Sequence, residues 1–261
     1  MPNGDKGNFL QNIVRLTNNA VYSIPGFADP FSSLSHLIGA FVFACLAFPL
    51  IHRGRGNGGS VASLSIFAFS SVFLLSMSGV YHMLMPGGTA RAVLQRLDHA
   101  AIFILIAGTF TPIHIILFRG WCRWGMLALI WIVAITALVL KTVFFSGFPN
   151  ALELALYLGL GWLGAVSGIA LWRRFGFGFV MPLLWGGLAY TIGSVMGFAY
   201  NPVLIPGVIG AHELFHVAVL IGLSFHCCFI HRLAGDVRIE RNMTPKPDIK
   251  PLKPAGKQSV Q

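Results

Sequence analysis

Acidic residues are scarce in this sequence: eight Asp and Glu among 261 residues, against 18 Lys and Arg, so charged residues make up only 10% of the chain. A soluble globular domain carries about 25%. Seven of the cations follow Ile230, which leaves a body with almost no formal charge. With 56% hydrophobic residues and a mean hydropathy of +0.75, that body is excluded as a water-soluble globule; its solvent is lipid. The net charge of +10 does not indicate nucleic acid, because the cations sit in short loops and a tail rather than on one continuous face. Cysteine is also sparse. Cys45, Cys122, Cys227 and Cys228 all fall within or beside apolar stretches and show no C-x-x-C spacing, which suits buried, inert thiols better than a disulfide framework. A cleavable signal peptide is missing from the reading too. The first 25 residues contain Asn, Gly and Asp and no unbroken apolar run, so the first apolar span is expected to do the targeting itself.

What the sequence has in abundance is long apolar runs. A bilayer core of roughly 30 Å needs about 20 apolar residues per helix, and seven runs meet that rule: 34–51, 61–84, 98–118, 124–144, 151–172, 177–200 and 208–231. Turn residues separate them, among them Pro86-Gly87-Gly88 after the second and Ser146-Gly147-Phe148-Pro149-Asn150 after the fourth. The expectation is an all-α integral membrane protein, one seven-helix bundle over 34–231. It is preceded by a 1–33 segment and followed by a basic, Pro-rich disordered tail over 232–261. Lys and Arg counted near the span ends favour an outside N-terminus and a cytoplasmic C-terminus, 13 against 5. Without the tail the two sides carry six and five.

Ionisable residues at membrane depth are expensive and mark functional sites by default. Between residues 30 and 235 the only acids are Asp98, Glu153 and Glu213. His212 and His216 are four apart, so they project from one face of the seventh helix. His82 lies near the end of the second span, Ser78 one turn before it, and Asp98 opens the third span. Parity makes these levels agree: the second span ends, the third begins and the seventh begins on the same side of the membrane, whatever the absolute orientation. Three neutral imidazoles with one open position form the ligand set of a catalytic zinc. Such a zinc lowers the pKa of bound water to about 7, and a nearby carboxylate is the usual companion. Against this stands the plain reading of a span histidine as a packed interhelical donor.

His212-Glu213-Leu214-Phe215-His216 also matches H-E-x-x-H, in which the Glu is general base of a metalloprotease. No Asp-Gly setting for a third, acidic ligand accompanies it. Other groups carry cheaper readings. Glu153 and Lys141 lie near span ends, where snorkelling accounts for them. Pro112 and His114 mark a kink in the third helix. His99 is about 100° round from Asp98 and is a neighbour, not a fourth ligand. Cys227-Cys228 with His226 and His231 is read as packing, since adjacent cysteines point apart on a helix.

The ordered set Ser78-x-x-x-His82, Leu97-Asp98-His99-Ala100-Ala101-Ile102-Phe103, Ala107-Gly108-Thr109-Phe110-Thr111-Pro112 and His212-x-x-x-His216 resembles the haemolysin III / progestin and adipoQ receptor family, prokaryotic type. Ser35-His36-Leu37-Ile38-Gly39-Ala40 is similar to the family's opening, and the resemblance covers residues 30–231. It implies that His82, His212 and His216 hold zinc, that Asp98 binds the metal's water and that Ser78 supports the site. It implies membrane lipids as partners, a bacterial inner membrane as location, and membrane-fluidity homeostasis as a setting. The wider superfamily includes lipid amide hydrolases, so zinc-dependent hydrolysis of a lipid amide or ester is the expected activity. A non-enzymatic membrane-state sensor with structural zinc is the alternative. The acidic motif that precedes the first span in the eukaryotic receptors is read as missing, since Asp29-Pro30-Phe31-Ser32 stands there instead, which argues against a hormone receptor.

Overall fold

The computed structural model describes residue 22, residues 24–200 and residues 202–243, with side chains through residue 235 except at residue 199. It contains seven membrane-length helices: α1 Pro30–Arg53, α2 Gly58–Met83, α3 Thr89–Leu117, α4 Trp121–Val143, α5 Asn150–Phe175, α6 Phe177–Val195 and α7 Ala211–Met243. A 3₁₀ turn at Phe145–Gly147 joins α4 to α5, and a π-helical turn at Met196–Tyr200 continues α6. No β-strand occurs among the described residues. The protein is an all-α, multi-pass integral membrane protein, as its hydropathy implied.

Local chemistry sets the helix starts. Pro30 opens α1, where its missing N–H and fixed φ cost nothing. At the start of α2 the Asn57 side chain accepts from the Ser60 N–H at 3.2 Å, a cap that satisfies one of the free amides there. Two boundaries differ most from the hydropathy reading. α3 begins at Thr89, so Asp98 lies well inside a helix rather than at its opening. The first turns of α3 escape a hydropathy window because Thr89, Arg91, Gln95 and Arg96 lower its mean. α7 continues to Met243, beyond the expected span end at 231; the tail expectation over 244–261 lies outside the described residues.

The central element is α3, of which 67% of the most apolar window is buried, against 22–33% for α1, α4, α5, α6 and α7. One core surrounds it with α1, α2 and α7, through Phe67, Leu75, Leu105, Leu223 and Phe229. A second joins it to α4 and α5, through Phe103, Ile130, Ala134 and Leu160. α1 and α2 approach closely because Gly79 has no side chain. A Cβ there would stand 2.7 Å from Leu37, and the gap lets Ser33 Oγ–H donate to the Gly79 carbonyl at 2.7 Å. Large apolar side chains such as Phe41, Ile132 and Val166 point outward to lipid. The cysteines join them: Cys45, Cys122 and Cys228 are exposed and only Cys227 is partly buried, all four as free thiols. The expectation of buried thiols is therefore wrong for three of them. Lipid accepts an apolar thiol as readily as a core does.

Candidate metal centre

His82 sits in the last turn of α2 and His212 and His216 in the first turns of α7. The bundle brings these helix ends to one level, as the parity of the spans requires. His212 Nε2 lies 3.0 Å from His82 Nε2 and 3.0 Å from His216 Nε2, and the three ligand nitrogens fall within 4.8 Å of one another. His82 and His216 are buried, whereas His212 is exposed and forms the open edge.

The cluster is a poor hydrogen-bond network and a good ligand set. A ring nitrogen offers one in-plane proton or one lone pair, never both. His212 Nε2 therefore cannot make a full hydrogen bond to both neighbours. A cation between the three nitrogens removes that conflict: three neutral imidazoles, each bonded at about 2.0–2.1 Å, are a zinc ligand set, and His212 Nε2 stands 3.0 Å from each of the other two. The residues fit such an ion.

The surrounding groups hold the rings. His82 Nδ1–H donates to Asp29 Oδ2 at 2.9 Å, which leaves the His82 Nε2 lone pair facing the cluster. The Asp29 backbone N–H in turn donates to the His82 carbonyl at 3.0 Å. Asp29 stands at the N-cap position of α1 yet makes no side-chain cap bond, so its carboxylate is free for the imidazole. Arg91 donates to the same Oδ2 at 3.2 Å and to the Leu84 carbonyl, and lies over the Tyr81 ring at 4.8 Å. Burial pushes the Asp29 carboxyl up, but the His82 and Arg91 contacts outweigh it and hold it below its ordinary 3.8. His216 is stacked on His36, centroids 3.9 Å apart at 19°, and His36 Nε2 meets the His216 carbonyl at 3.4 Å. Ser78 and Asp98 are both buried, with Ser78 against the Asp98 carboxylate and His82 close by.

Asp29 is the residue that sequence reasoning missed. It was read as a departure from an acidic motif, whereas its carboxylate is the partner of a cluster histidine. The signal was there: an acid directly before an apolar span at the level predicted for the histidines.

Glu213 does not share the cluster. Its Oε2 accepts from the Gly210 N–H at 2.9 Å and its Oε1 from Ser32 Oγ–H at 3.0 Å. It closes the N-terminus of α7 in the manner of a capping box, so the H-E-x-x-H match has no base facing the imidazoles.

Snorkelling is also wrong for Glu153 and Lys141. They are 1% and 3% exposed and paired at 2.7 Å. Glu153 Oε1 accepts from His99 Nδ1–H at 2.6 Å and Tyr157 O–H at 2.8 Å. This network joins α3, α4 and α5 beside Asp98; residues in different helices made it invisible to a one-span reading. His114 is a packed interhelical donor: Nδ1–H donates to the Phe110 carbonyl at 3.1 Å and Nε2 accepts from Ser167 Oγ–H at 3.0 Å.

Comparison with known proteins agrees with this architecture. The family model described as "Haemolysin-III related" matches residues 27–227. The chain is 31% identical over 207 residues to Hemolysin-3 of Bacillus cereus, covering 77% of this chain and 90% of that protein. It is 30% identical over 167 residues to the Hemolysin-3 homolog of Bacillus subtilis (strain 168), covering 63% and 77% respectively.

Proposed function

The chain belongs to the haemolysin-III-related family, and from that premise we propose that it is a zinc-dependent hydrolase of a membrane lipid amide or ester. The observation that carries the reading is the convergence of the His82, His212 and His216 Nε2 atoms, with His82 fixed from behind by Asp29. His82, His212 and His216 would hold the ion. Zinc bound there would polarise an acyl carbonyl and activate water at neutral pH.

The chain's own residues do the rest. Asp29 and Arg91 keep His82 in the tautomer that presents Nε2, and His36 keeps the His216 ring in plane with the site. Asp98, buried beside His82 and steadied by Ser78, orients the attacking water and receives its proton, which it returns to the leaving amine or alcohol. The site lies where helix ends meet the interface, and His212 is its exposed edge, so a lipid carbonyl reaches it without leaving the bilayer. The charge count of the sequence favours a cytoplasmic C-terminus in a bacterial inner membrane, with the histidines on the outer side.

The test is metal analysis of purified wild type beside His82→Ala and His212→Ala, followed by hydrolysis of a panel of lipid amides and esters. Wild type is expected to hold about one zinc per chain and to release fatty acid; both variants lose metal and turnover together. A wild type that holds zinc and cleaves nothing on the panel instead supports a sensor in which zinc is a structural clip.

A further inference from the structure

The end of the bundle opposite the histidines carries arginines and, among the described side chains, no carboxylate. The four described acids, Asp29, Asp98, Glu153 and Glu213, all belong to the half of the bundle that holds the metal centre. Leu117, the last residue of α3, lies roughly 28 Å beyond Asp98 along the helix, at 1.5 Å per residue.

There the end of α3 meets the start of α4 and the end of α5, and two arginines from the flanking helices converge on it. Arg123 on α4 donates Nε–H to the Phe118 carbonyl at 2.7 Å. Arg174 on α5 places Nη1 3.5 Å from the preceding carbonyl, that of Leu117. Carbonyls that close a helix have no partner within it and form the negative end of its dipole, which accounts for the approach of both cations. Capping uses only one N–H of each group, however, and a guanidinium has five. Neither arginine makes another hydrogen bond or an ion pair among the described residues. The Arg174 guanidinium also lies 4.9 Å from the centroid of the Phe175 ring, a contact that steadies the group without occupying an N–H.

The setting is a membrane interface. Trp121 and Trp124 stand in the first turn of α4 and Trp172 two residues before Arg174, all three exposed. Tryptophans at span ends sit at the level of the lipid headgroups. The edge of a guanidinium matches the paired oxygens of a phosphate, and at this depth the available phosphate is a lipid phosphodiester. Phosphate alone does not choose among phospholipids, but the missing acids do. A headgroup that ends in an ammonium brings its cation among arginines with no described carboxylate to meet it. One that ends in hydroxyls adds no positive charge.

We propose that Arg123 and Arg174 form a binding site for the phosphodiester of an anionic phospholipid. The site stands apart from the metal and goes beyond the hydrolase reading. Purified full-length protein in a neutral detergent is titrated with ether-linked phosphatidylglycerol, ether-linked phosphatidylethanolamine and inorganic phosphate. Tryptophan fluorescence follows binding, since Trp121, Trp124 and Trp172 flank the arginines, and the ether linkages keep hydrolysis out of the measurement. Wild type is expected to bind phosphatidylglycerol roughly tenfold more tightly than either other ligand. Arg123→Gln and Arg174→Gln should each weaken that binding about fivefold, the usual share of one arginine at an anionic surface. Arg55→Gln, which removes an exposed cation from the α1–α2 turn at the same end, should change it by less than about twofold. Equal binding of the two lipids overturns the proposal, as does no binding of either. So does a loss in Arg55→Gln as large as in Arg174→Gln, which marks diffuse charge, or inorganic phosphate that binds as tightly as phosphatidylglycerol, which marks a free-anion site. Arg174 makes only one long contact, so Arg174→Gln decides the matter alone should Arg123→Gln not fold. Failure here leaves the hydrolase reading standing, and failure of hydrolysis leaves this site standing.

Discussion

His82 is held from both sides: its Nδ1–H donates to Asp29 Oδ2 at 2.9 Å while its Nε2 lies 3.0 Å from His212 Nε2. The carboxylate thereby selects the tautomer, and the tautomer decides which nitrogen can ligate. A carboxylate behind a ligating histidine raises its basicity and fixes its orientation. Asp29→Asn is expected to lower zinc affinity about 10–100-fold, whereas His82→Ala abolishes stoichiometric binding. Competition with a chelating dye measures both.

Asp98 and Glu213 separate the hydrolase from the protease by their positions. Asp98→Asn should keep its zinc and lose lipid hydrolysis. Glu213→Gln should keep both, because Glu213 engages Gly210 and Ser32 rather than the cluster. Glu213→Ala should instead lower stability by about 0.5–2 kcal/mol, the usual effect of losing a helix cap. A Glu213→Gln protein with full zinc and no turnover would favour the H-E-x-x-H reading instead.

The buried Lys141–Glu153 pair makes a stability prediction. Lys141→Met leaves the buried Glu153 carboxylate without its cation, with only His99 and Tyr157 to meet it, and should destabilise the bundle by about 3 kcal/mol, while Lys141→Met with Glu153→Leu should be closer to wild type. Thermal unfolding in detergent compares them. A single variant as stable as the double one would mean that the network carries no charge.

Acid should act in two ways. Ligating imidazoles must be neutral, so protons compete with zinc and its affinity falls as pH falls. Asp29 responds in its own range. Its carboxyl is depressed in the folded protein relative to an ordinary 3.8, so its contribution to stability is complete above that value and fades as pH falls below it. In metal-free protein the stability gap between wild type and Asp29→Asn should stay constant from pH 7 to about 5 and close below about 4. A gap that stays open at about pH 3 would mean that the contribution does not depend on the Asp29 charge.

Hydropathy and turn residues determined seven spans, and span parity determined that His82, Asp98, His212 and His216 share one level, because a helix crossing a bilayer has no other way to satisfy its backbone. The i,i+4 spacing of His212 and His216 was legible for the same local reason. Which carboxylate serves which histidine was not. Asp29, Asp98, Glu153 and Glu213 look alike in the sequence, and only the packing of helix ends sent the first to His82, the third to Lys141 and His99, and the fourth to a helix cap. Side-chain hydrogen bonds between distant helices depend on rotation and tilt to within an ångström, and periodicity along one helix carries no such information.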